Sequence, residues 1–446
     1  MSDYSAEAAR VYDLLLNRIG EAAPQPRLHA TQRVLELLGD PQNMYKIVHI
    51  TGTNGKTSTA RMIEALIRSY GLRPGLLTSP HLVKVNERIV IDGEPISDEA
   101  FVYNWNDIEP YVLMADAELV ANGEEPLTYF EALTVLAFAS FADAPVDVAI
   151  LEVGMGGEWD STNVADADVA VFTPIGVDHA DRLGSTIRDI ARTKSGIIKP
   201  GCVVVSAVQP HDALDEIIAA SEIDEAELYV QGSAFEVVSC VPAVGGQVVT
   251  VRGRADTYRD VAVSLHGEHQ GNNAALAIVA VESLLGAGEH PIPRDVLDDA
   301  LGSVSSPGRL QYLGAQPALI VDAAHNPHGA ESLAHAIVNW LPFDKVWIVL
   351  GVLADKDAHG IVQALDSVVQ GFIVTQSSSE RAIPADELGE IAAHVAGHDR
   401  VRVIPDLAYA LDAARGLVSD GDAIIVTGSI TLVGEVMATA EERGWR

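Results

Sequence analysis

Eight consecutive residues, Thr51-Gly52-Thr53-Asn54-Gly55-Lys56-Thr57-Ser58, have the make-up of a loop that holds phosphate. Val48-His49-Ile50 reads as a strand entering it, and the spacing of Ile63, Leu66 and Ile67 reads as a helix leaving it. Such a loop aims several backbone N–H groups at one point, and the helix dipole adds positive potential there. Gly52 and Gly55 let the backbone approach a phosphate, Lys56 supplies a point charge for the outer phosphates, and Thr57 offers a hydroxyl often given to Mg²⁺. The usual pattern, G-x-x-x-x-G-K-[ST], has a glycine where Ile50 stands, so the match is to the shorter G-x-x-G-K-T form. The loop implies a nucleotide and leaves the reaction open.

Other residues of chemical interest sit where apolar runs end, and ligands collect at the carboxyl ends of parallel strands. Ser79, in Leu77-Thr78-Ser79-Pro80-His81-Leu82, is within reach of the same phosphate and metal space, although a Ser-Pro-His turn by itself is more often only a turn. Glu152 ends an apolar run and precedes Gly154-Met155-Gly156-Gly157; a charge there calls for an ion pair or a bound cation. His179 follows the next run and reads equally as a surface histidine. With Ser79 and Glu152 on neighbouring strand ends, an oxygen-rich Mg²⁺ cluster becomes the better reading. Lys194 reads most simply as a solvated lysine, and Asn273 equally as a helix cap. Arg309, Asp322 and His325 are expected to face the nucleotide across a cleft.

The elements that must position these groups recur as a short β-rich run, a turn and a helical pattern. Runs at 48–50, 75–78, 147–153, 169–173 and 203–205 alternate with helices, which implies a parallel sheet covered on both faces. Residues 235–265 change to short alternating runs, read as antiparallel hairpins, followed by a helix over 272–285. A polar, breaker-rich stretch at 303–308 reads as a linker. Beyond it five more runs, at 318–322, 346–350, 371–374, 401–404 and 423–426, make a smaller doubly wound domain. The expected fold is α/β: a phosphate-loop ATPase domain with a parallel sheet and a small antiparallel β subdomain over 1–306, and a smaller Rossmann-like domain over 307–446.

The 446 residues carry 63 acidic and 29 basic side chains, a formal net charge of −34. That surface repels nucleic acid and anionic membrane, so neither is expected as a partner. ATP and acidic substrates must then be held by metal ions, helix N-termini and a few focused cations. Two isolated cysteines, Cys202 and Cys240, fit neither a disulfide framework nor a Cys-x-x-Cys zinc pattern and suit a reducing cytoplasm. The first residues lack the basic and apolar regions of a signal peptide, and no apolar run approaches the ~20 residues needed to span a bilayer.

Taken in order, Gly-Thr-Asn-Gly-Lys-Thr, Leu-Thr-Ser-Pro-His-Leu, Asn86-Glu87-Arg88-Ile89, Leu127-Thr128-Tyr129-Phe130-Glu131, Glu152-Val153-Gly154-Met155-Gly156-Gly157, Lys-Ser-Gly-Ile-Ile-Lys, His-Gln…Asn-Ala, Pro-Gly-Arg, Asp-Ala-Ala-His-Asn-Pro and Asp355-Lys356-Asp357 resemble the folylpolyglutamate synthase/dihydrofolate synthase family of the Mur ligase superfamily. The resemblance runs from about residue 27 to Gly434. It implies a ligase that joins L-glutamate to a pteroate or folate through an acyl phosphate, with ATP as co-substrate and Mg²⁺ as metal. It further implies that Gly52, Thr53, Asn54, Gly55, Lys56, Thr57 and Ser58 bind the ATP phosphates. Asn273, Arg309 and Asp322 would contact ATP, while Thr57, Ser79, Glu152 and His179 would hold Mg²⁺. Lys194 resembles a lysine that the family carbamylates. Thr128, Phe130 and Glu131 would lie near the pterin, His81 and Arg88 would contact substrate, and His325 and Ser429 would lie near the glutamate and acyl group. Ile430 and Thr431 depart from the leucine and aromatic that the family commonly has there. A monomer is expected, because ligases of this class move two domains against each other.

Two rivals remain at this level. A cell-wall Mur ligase shares the chemistry but is expected to carry an extra N-terminal substrate domain, and some 45 residues before the first strand leave no room for one. A non-catalytic nucleotide switch is disfavoured by Ser79, Glu152, His179 and Lys194 occurring together.

Overall fold

The computed structural model describes residues 4–20, 23–178 and 180–442. They divide into two compact units: Met1–Ser239, Val249–Ala262 and Asn272–Val304 in one, and Cys240–Val248, Val263–Gly271 and Ser305–Arg446 in the other.

The first unit contains strands β1 (Lys46–Thr51), β2 (Pro74–Leu77), β3 (Ile89–Ile91), β4 (Glu94–Pro95), β5 (Val148–Glu152), β6 (Val169–Phe172), β7 (Val203–Ser206) and β8 (Glu227–Val230). They form one sheet in the order β4-β3-β2-β5-β1-β6-β7-β8. From β2 to β8 the pairing is parallel, and β3 and β4 add an antiparallel edge. Its helices include α1 (Tyr4–Leu16), α2 (His29–Leu37), α3 (Lys56–Ser69), α4 (Asp98–Ala121), α5 (Tyr129–Asp143), α6 (Ala180–Leu183), α7 (Ile187–Ser195) and α8 (His211–Ile223). Apolar residues of α1, α2, α4 and α5 pack with Ile47, Leu77, Ala149 and Leu151 into one core. Ile190 of α7 and Ala213 and Ile217 of α8 join Ala170, Phe172 and Val204 in another. A parallel sheet needs this cover, because strands this apolar cannot face water. In register, Ile50 lies opposite Glu152, and Thr51 opposite Phe172. The ends of β5, β1 and β6 therefore stand side by side, which is where the chemistry gathers.

Strands β9 (Glu236–Ala243), β10 (Gly246–Arg252) and β11 (Thr257–Val263) form a three-stranded sheet in the order β11-β10-β9, the hairpin segment expected there. Helix α9 (Glu268–Gly286) follows. It starts four residues before the position expected from sequence, because His269 and Gln270 extend the helical pattern backwards. Asn273 is consequently inside the helix and not its cap.

The second unit contains β12 (Gln311–Ala315), β13 (Ala318–Val321), β14 (Val346–Leu350), β15 (Gly371–Val374), β16 (Val401–Val403) and β17 (Ala423–Thr427). The sheet order is β12-β13-β17-β14-β15-β16, parallel except for β12, which pairs antiparallel with β13. The sequence pattern shows five of these six. β12 escapes it because the run is half-exposed, contains Gly314 and has a register shift between Tyr312 and Gly314. Among the described residues no helix is long and apolar enough to cross a membrane.

Candidate active site

The glycine-rich loop leaves β1 and enters α3 with Gly55 as the residue before the helix. Gly52 at φ 143° and Gly55 at φ 90° hold conformations that side chains resist. Space is closed as well. A Cβ on Gly52 would strike the Thr173 side chain and lie 2.8 Å from the Thr173 carbonyl oxygen, and one on Gly55 would lie 2.7 Å from Asn273 Oδ1. Asn273, 3% exposed, is thus set against the loop. Thr53 fastens the loop to the segment after β6. Its N–H donates to Pro174 O at 2.9 Å, and its hydroxyl donates to Gly176 O and accepts from Gly176 N, both at 3.0 Å.

Lys56 Nζ donates to Gly52 O and Thr53 O, both at 3.2 Å. Lys194, at the end of α7, reaches the same loop and donates to Gly52 O at 2.8 Å. It is not the solvated lysine that its residue type suggests: only 5% of it is exposed. Its pKa falls to about 7, first because burial penalises the ammonium and then because Lys56 repels it, against the pull of Asp178 and Asp160.

Glu152 ends β5 at 2% exposure and is satisfied by hydrogen bonds from hydroxyls and an amide. Its Oε1 accepts from the Thr57 hydroxyl at 2.8 Å. Its Oε2 accepts from the Thr78 hydroxyl and from Ser79 N at 3.4 Å. Ser79 therefore meets Glu152 through its backbone, while Thr78 supplies the hydroxyl. Arg61, one turn into α3, lends positive charge to the carboxylate from a partly buried position where burial depresses its own pKa. His179 lies outside the described residues.

Thr128 and Glu131 form a capping box that starts α5. Thr128 N donates to Glu131 Oε2 at 2.7 Å, and Glu131 N donates to Thr128 Oγ1 at 3.2 Å. Arg27 clamps Glu131 through two bonds of 2.9 and 3.1 Å. Both polar side chains hold the helix start, which leaves Phe130 as the member of the trio that presents a surface. Its ring packs on the turn after Glu152, where a Cβ on Gly154 would lie 2.7 Å from the ring and 3.2 Å from Asp160 Oδ2. Arg88, 3% exposed, donates from Nε to His81 Nδ1 at 2.8 Å, and its guanidinium stands 5.3 Å over the Tyr129 ring. Tyr12 OH lies 3.4 Å from His81 Nε2.

In the second unit, Asp322 is buried at the end of β13, and burial pushes its pKa up while Arg309 pulls it down. It accepts N–H bonds from Leu310 at 3.0 Å and Ala324 at 2.9 Å, so it ties the turn that carries Arg309 to the strand end. His325 Nδ1 lies 2.9 Å from Ala323 O, and because a carbonyl only accepts, Nδ1 carries a proton. β17 is the parallel neighbour of β13, and Gly428 N donates to Ala324 O at 3.0 Å, so the His325 and Ser429 segments are joined. Ser429 is 1% exposed and its hydroxyl has no hydrogen-bond partner among the described residues.

The family model for the Mur ligase middle domain matches residues 50–281, and that for the Mur ligase glutamate ligase domain matches residues 308–430. The Mycobacterium tuberculosis dihydrofolate synthase/folylpolyglutamate synthase is 42% identical over 97% of this chain and 93% of its own length. The chain belongs to the dihydrofolate synthase/folylpolyglutamate synthase family of Mur ligases. The structure of M. tuberculosis folylpolyglutamate synthase complexed with ADP superposes with a TM-score of 0.94 at 40% identity, covering 98% of this chain and 99% of that one. Escherichia coli FolC in complex with DHPP and ADP gives 0.84 at 28% identity, covering 98% of each.

Within this folylpolyglutamate synthase family member, the donor set of Thr57, Ser79 and Glu152 is all oxygen and includes one buried carboxylate, the chemistry that suits Mg²⁺. Three functional features escape sequence reasoning. Thr78 sits one residue from Ser79, and only strand geometry shows that its hydroxyl is the one turned to Glu152. Asp160, fully buried behind the glycine turn, accepts Met155 N at 2.9 Å and Thr162 N at 3.0 Å. Lys194 is buried and bonds Gly52, far away in sequence.

Proposed function

We propose that this protein is an ATP-dependent ligase that joins L-glutamate to dihydropteroate, to the γ-glutamyl chain of a folate, or to both. The observation that carries the reading is the buried Glu152 bonded to Thr57 of the phosphate loop, with Lys194 on the loop's Gly52 carbonyl. A metal-directed carboxylate and two lysines on one glycine loop suit the handling of a polyphosphate.

A carboxylate is a poor electrophile at neutral pH, and phosphorylation remedies that. The substrate carboxylate oxygen takes the γ-phosphoryl group of ATP, and ADP leaves. The glutamate amine then attacks the carbonyl carbon, the C–O bond to phosphate breaks, and the amine gives up a proton. Positioning and charge neutralisation supply the rate. Gly52, Thr53, Asn54, Gly55, Lys56, Thr57 and Ser58 cradle the phosphates, and Asn273, Arg309 and Asp322 are the further ATP residues. Thr57, Ser79, Glu152 and His179 would hold Mg²⁺, which when bound offsets the phosphate charge. Phe130, at the start of α5 with Thr128 and Glu131 as its frame, faces the pterin, and His81 and Arg88 line the substrate side. His325 takes the amine proton, and the Ser429 hydroxyl accompanies it at the glutamate and acyl group. Lys194 is suited to carbamylation: a neutral amine is what attacks carbon dioxide, and a pKa of about 7 makes one available. The protein is taken to act in the cytoplasm as a monomer.

Phosphate release tests the reading directly. With ATP and glutamate, turnover is expected with dihydropteroate or tetrahydrofolate and not with a UDP-muramyl substrate. Mass spectrometry of the products then separates first-glutamate addition from chain extension. Turnover only with the muramyl substrate would overturn it.

A further inference from the structure

One buried histidine has no part in this chemistry. His49 lies in the middle of β1, two residues before the phosphate loop, and is fully buried. Its Nε2 is 2.8 Å from Thr162 Oγ1, and Thr162 Oγ1 is 2.5 Å from Asp160 Oδ1. Asp160 already receives N–H bonds from Met155 and Thr162, so its carboxylate acts as an acceptor and the single hydroxyl proton of Thr162 points at it. That leaves Thr162 to accept from His49, which fixes the imidazole as the neutral Nε2–H form. Its Nδ1 is buried with no hydrogen-bond partner among the described residues. Burial, followed by repulsion from Lys199, lowers its pKa to about 3 and keeps it neutral throughout the working range.

The far end of this chain is the Gly154–Gly157 turn. Asp160 holds the turn by Met155 N, and Phe130 packs on Gly154. The same turn lies against the backbone of α7. A Cβ on Gly157 would be 2.7 Å from Lys194 O, Glu158 N donates to Thr193 O at 2.8 Å, and Asn163 Nδ2 donates to Glu158 O and Gly196 O at 3.0 and 2.9 Å. The turn therefore follows Glu152, packs against Phe130 and rests on the segment that holds Lys194. We propose that His49 is a positioning residue for the pteroyl side of the site, holding Thr162 and Asp160, and through them the Gly154–Gly157 turn, in the arrangement that seats Phe130. The inference rests on the ligase reading for its substrate and on geometry for its path.

Kinetics and nitrogen NMR test it together. His49→Leu removes the donor and is expected to raise KM for the pteroyl substrate about tenfold, the effect of roughly one lost buried hydrogen bond, with KM for ATP within about twofold. His49→Gln retains an N–H near the Nε2 position and is expected to recover most of the loss. Thr162→Val is expected to match His49→Leu, and the double variant to be no worse than either, since both cut one path. A purely structural role would lower melting temperature while leaving the two KM values unchanged or moving them alike, and that result overturns the proposal. The tautomer is read without any activity: ¹⁵N shifts of His49 should show a protonated Nε2 and a bare Nδ1 from about pH 5 to 8, a range where an ordinary histidine titrates. A titrating ring or an Nδ1–H form would refute the chain of hydrogen bonds even in a protein whose substrate is something else. Loss of the ligase reading alone would appear as wild-type protein with the predicted NMR signature and no pteroyl turnover, and the claim about the pteroyl side would fall with it.

Discussion

Lys194 and Lys56 donate to the same carbonyl oxygen, that of Gly52, at 2.8 and 3.2 Å. Two ammonium groups on one acceptor repel each other, and only one of them is on the loop's own helix. Burial first, and this repulsion second, make Lys194 readily neutral, and the pairing separates the roles of the two lysines.

Lys56→Ala is expected to lower ATP turnover by about a hundredfold or more, in line with the loss of a preorganised charge at a transferring phosphoryl group. Its ammonium donates to the loop carbonyls of Gly52 and Thr53 and is half-exposed, so thermal unfolding should move little. Phosphate-release kinetics and a melting curve check both halves. Normal turnover would remove the loop from the mechanism.

Lys194→Ala is expected to lower activity, and added bicarbonate should not restore it, whereas the wild type should lose activity on removal of carbon dioxide and regain it with bicarbonate. Lys194 also makes a stability prediction. Its pKa is about 7 in the fold against 10.5 for an unperturbed lysine, so above pH 7 the unfolded chain binds the extra proton. The cost of burying the charge is fully present below about pH 7 and is relieved as pH rises towards 10.5. Relative to Lys194→Met, the uncarbamylated wild type should therefore gain stability over that window, read by urea unfolding at several pH values. A parallel pH dependence in the two proteins would contradict the buried-amine assignment.

Much of this site was legible from residue types because phosphate chemistry demands local spacing. Gly52, Gly55, Lys56 and Thr57 must be neighbours in sequence to converge on one anion, and Glu152 announces itself as a charge ending an apolar strand. What could not be read depends on which strands are adjacent. Lys194 looks solvated on its helix and is instead buried, its ammonium bonded to a residue more than a hundred positions away. Thr78 and Ser79 are equivalent as letters, and only the register of β2 beside β5 turns the threonine hydroxyl to Glu152. β12 was missed because an edge strand carries little of the apolar pattern that marks central ones.

Ser429→Ala separates binding from folding. The hydroxyl is buried and lacks a hydrogen-bond partner among the described residues, so its removal should leave the melting temperature unchanged or slightly raised. If it serves the glutamate, KM for glutamate should rise about tenfold, the effect of roughly one polar contact to a charged ligand. A loss of stability with an unchanged KM would make Ser429 an element of the fold alone.

Glu282 predicts a defect of a different kind. This residue of α9 is 1% exposed and accepts from Arg254 N at 2.8 Å, Ala255 N at 3.0 Å and Tyr258 OH at 2.6 Å, fastening the turn between β10 and β11 to the helix. Glu282→Ala leaves three donors without their acceptor and should cost about 2–4 kcal/mol in denaturant unfolding, within the range for orphaned buried polar groups. A change below about 0.5 kcal/mol, the scale of an ordinary surface substitution, would mean the turn is held by other contacts.

The clamp on Glu131 reaches back to the beginning of the chain. Arg27 donates to Glu131 and to the carbonyls of Glu125 and Pro126, Arg18 donates to Leu127 O at 2.9 Å, and Tyr129 N donates to Ile19 O at 2.9 Å. The strap between α1 and α2 thus sets the height and tilt of the helix start on which Phe130 stands. Selection for tolerance of an antifolate shaped like the pteroyl substrate would then have a second address: changes at Arg18 or Arg27, whose side chains bond the α5 start and not the phosphate loop, would reshape the aromatic wall while sparing the nucleotide, and resistance would arise without loss of ATP use.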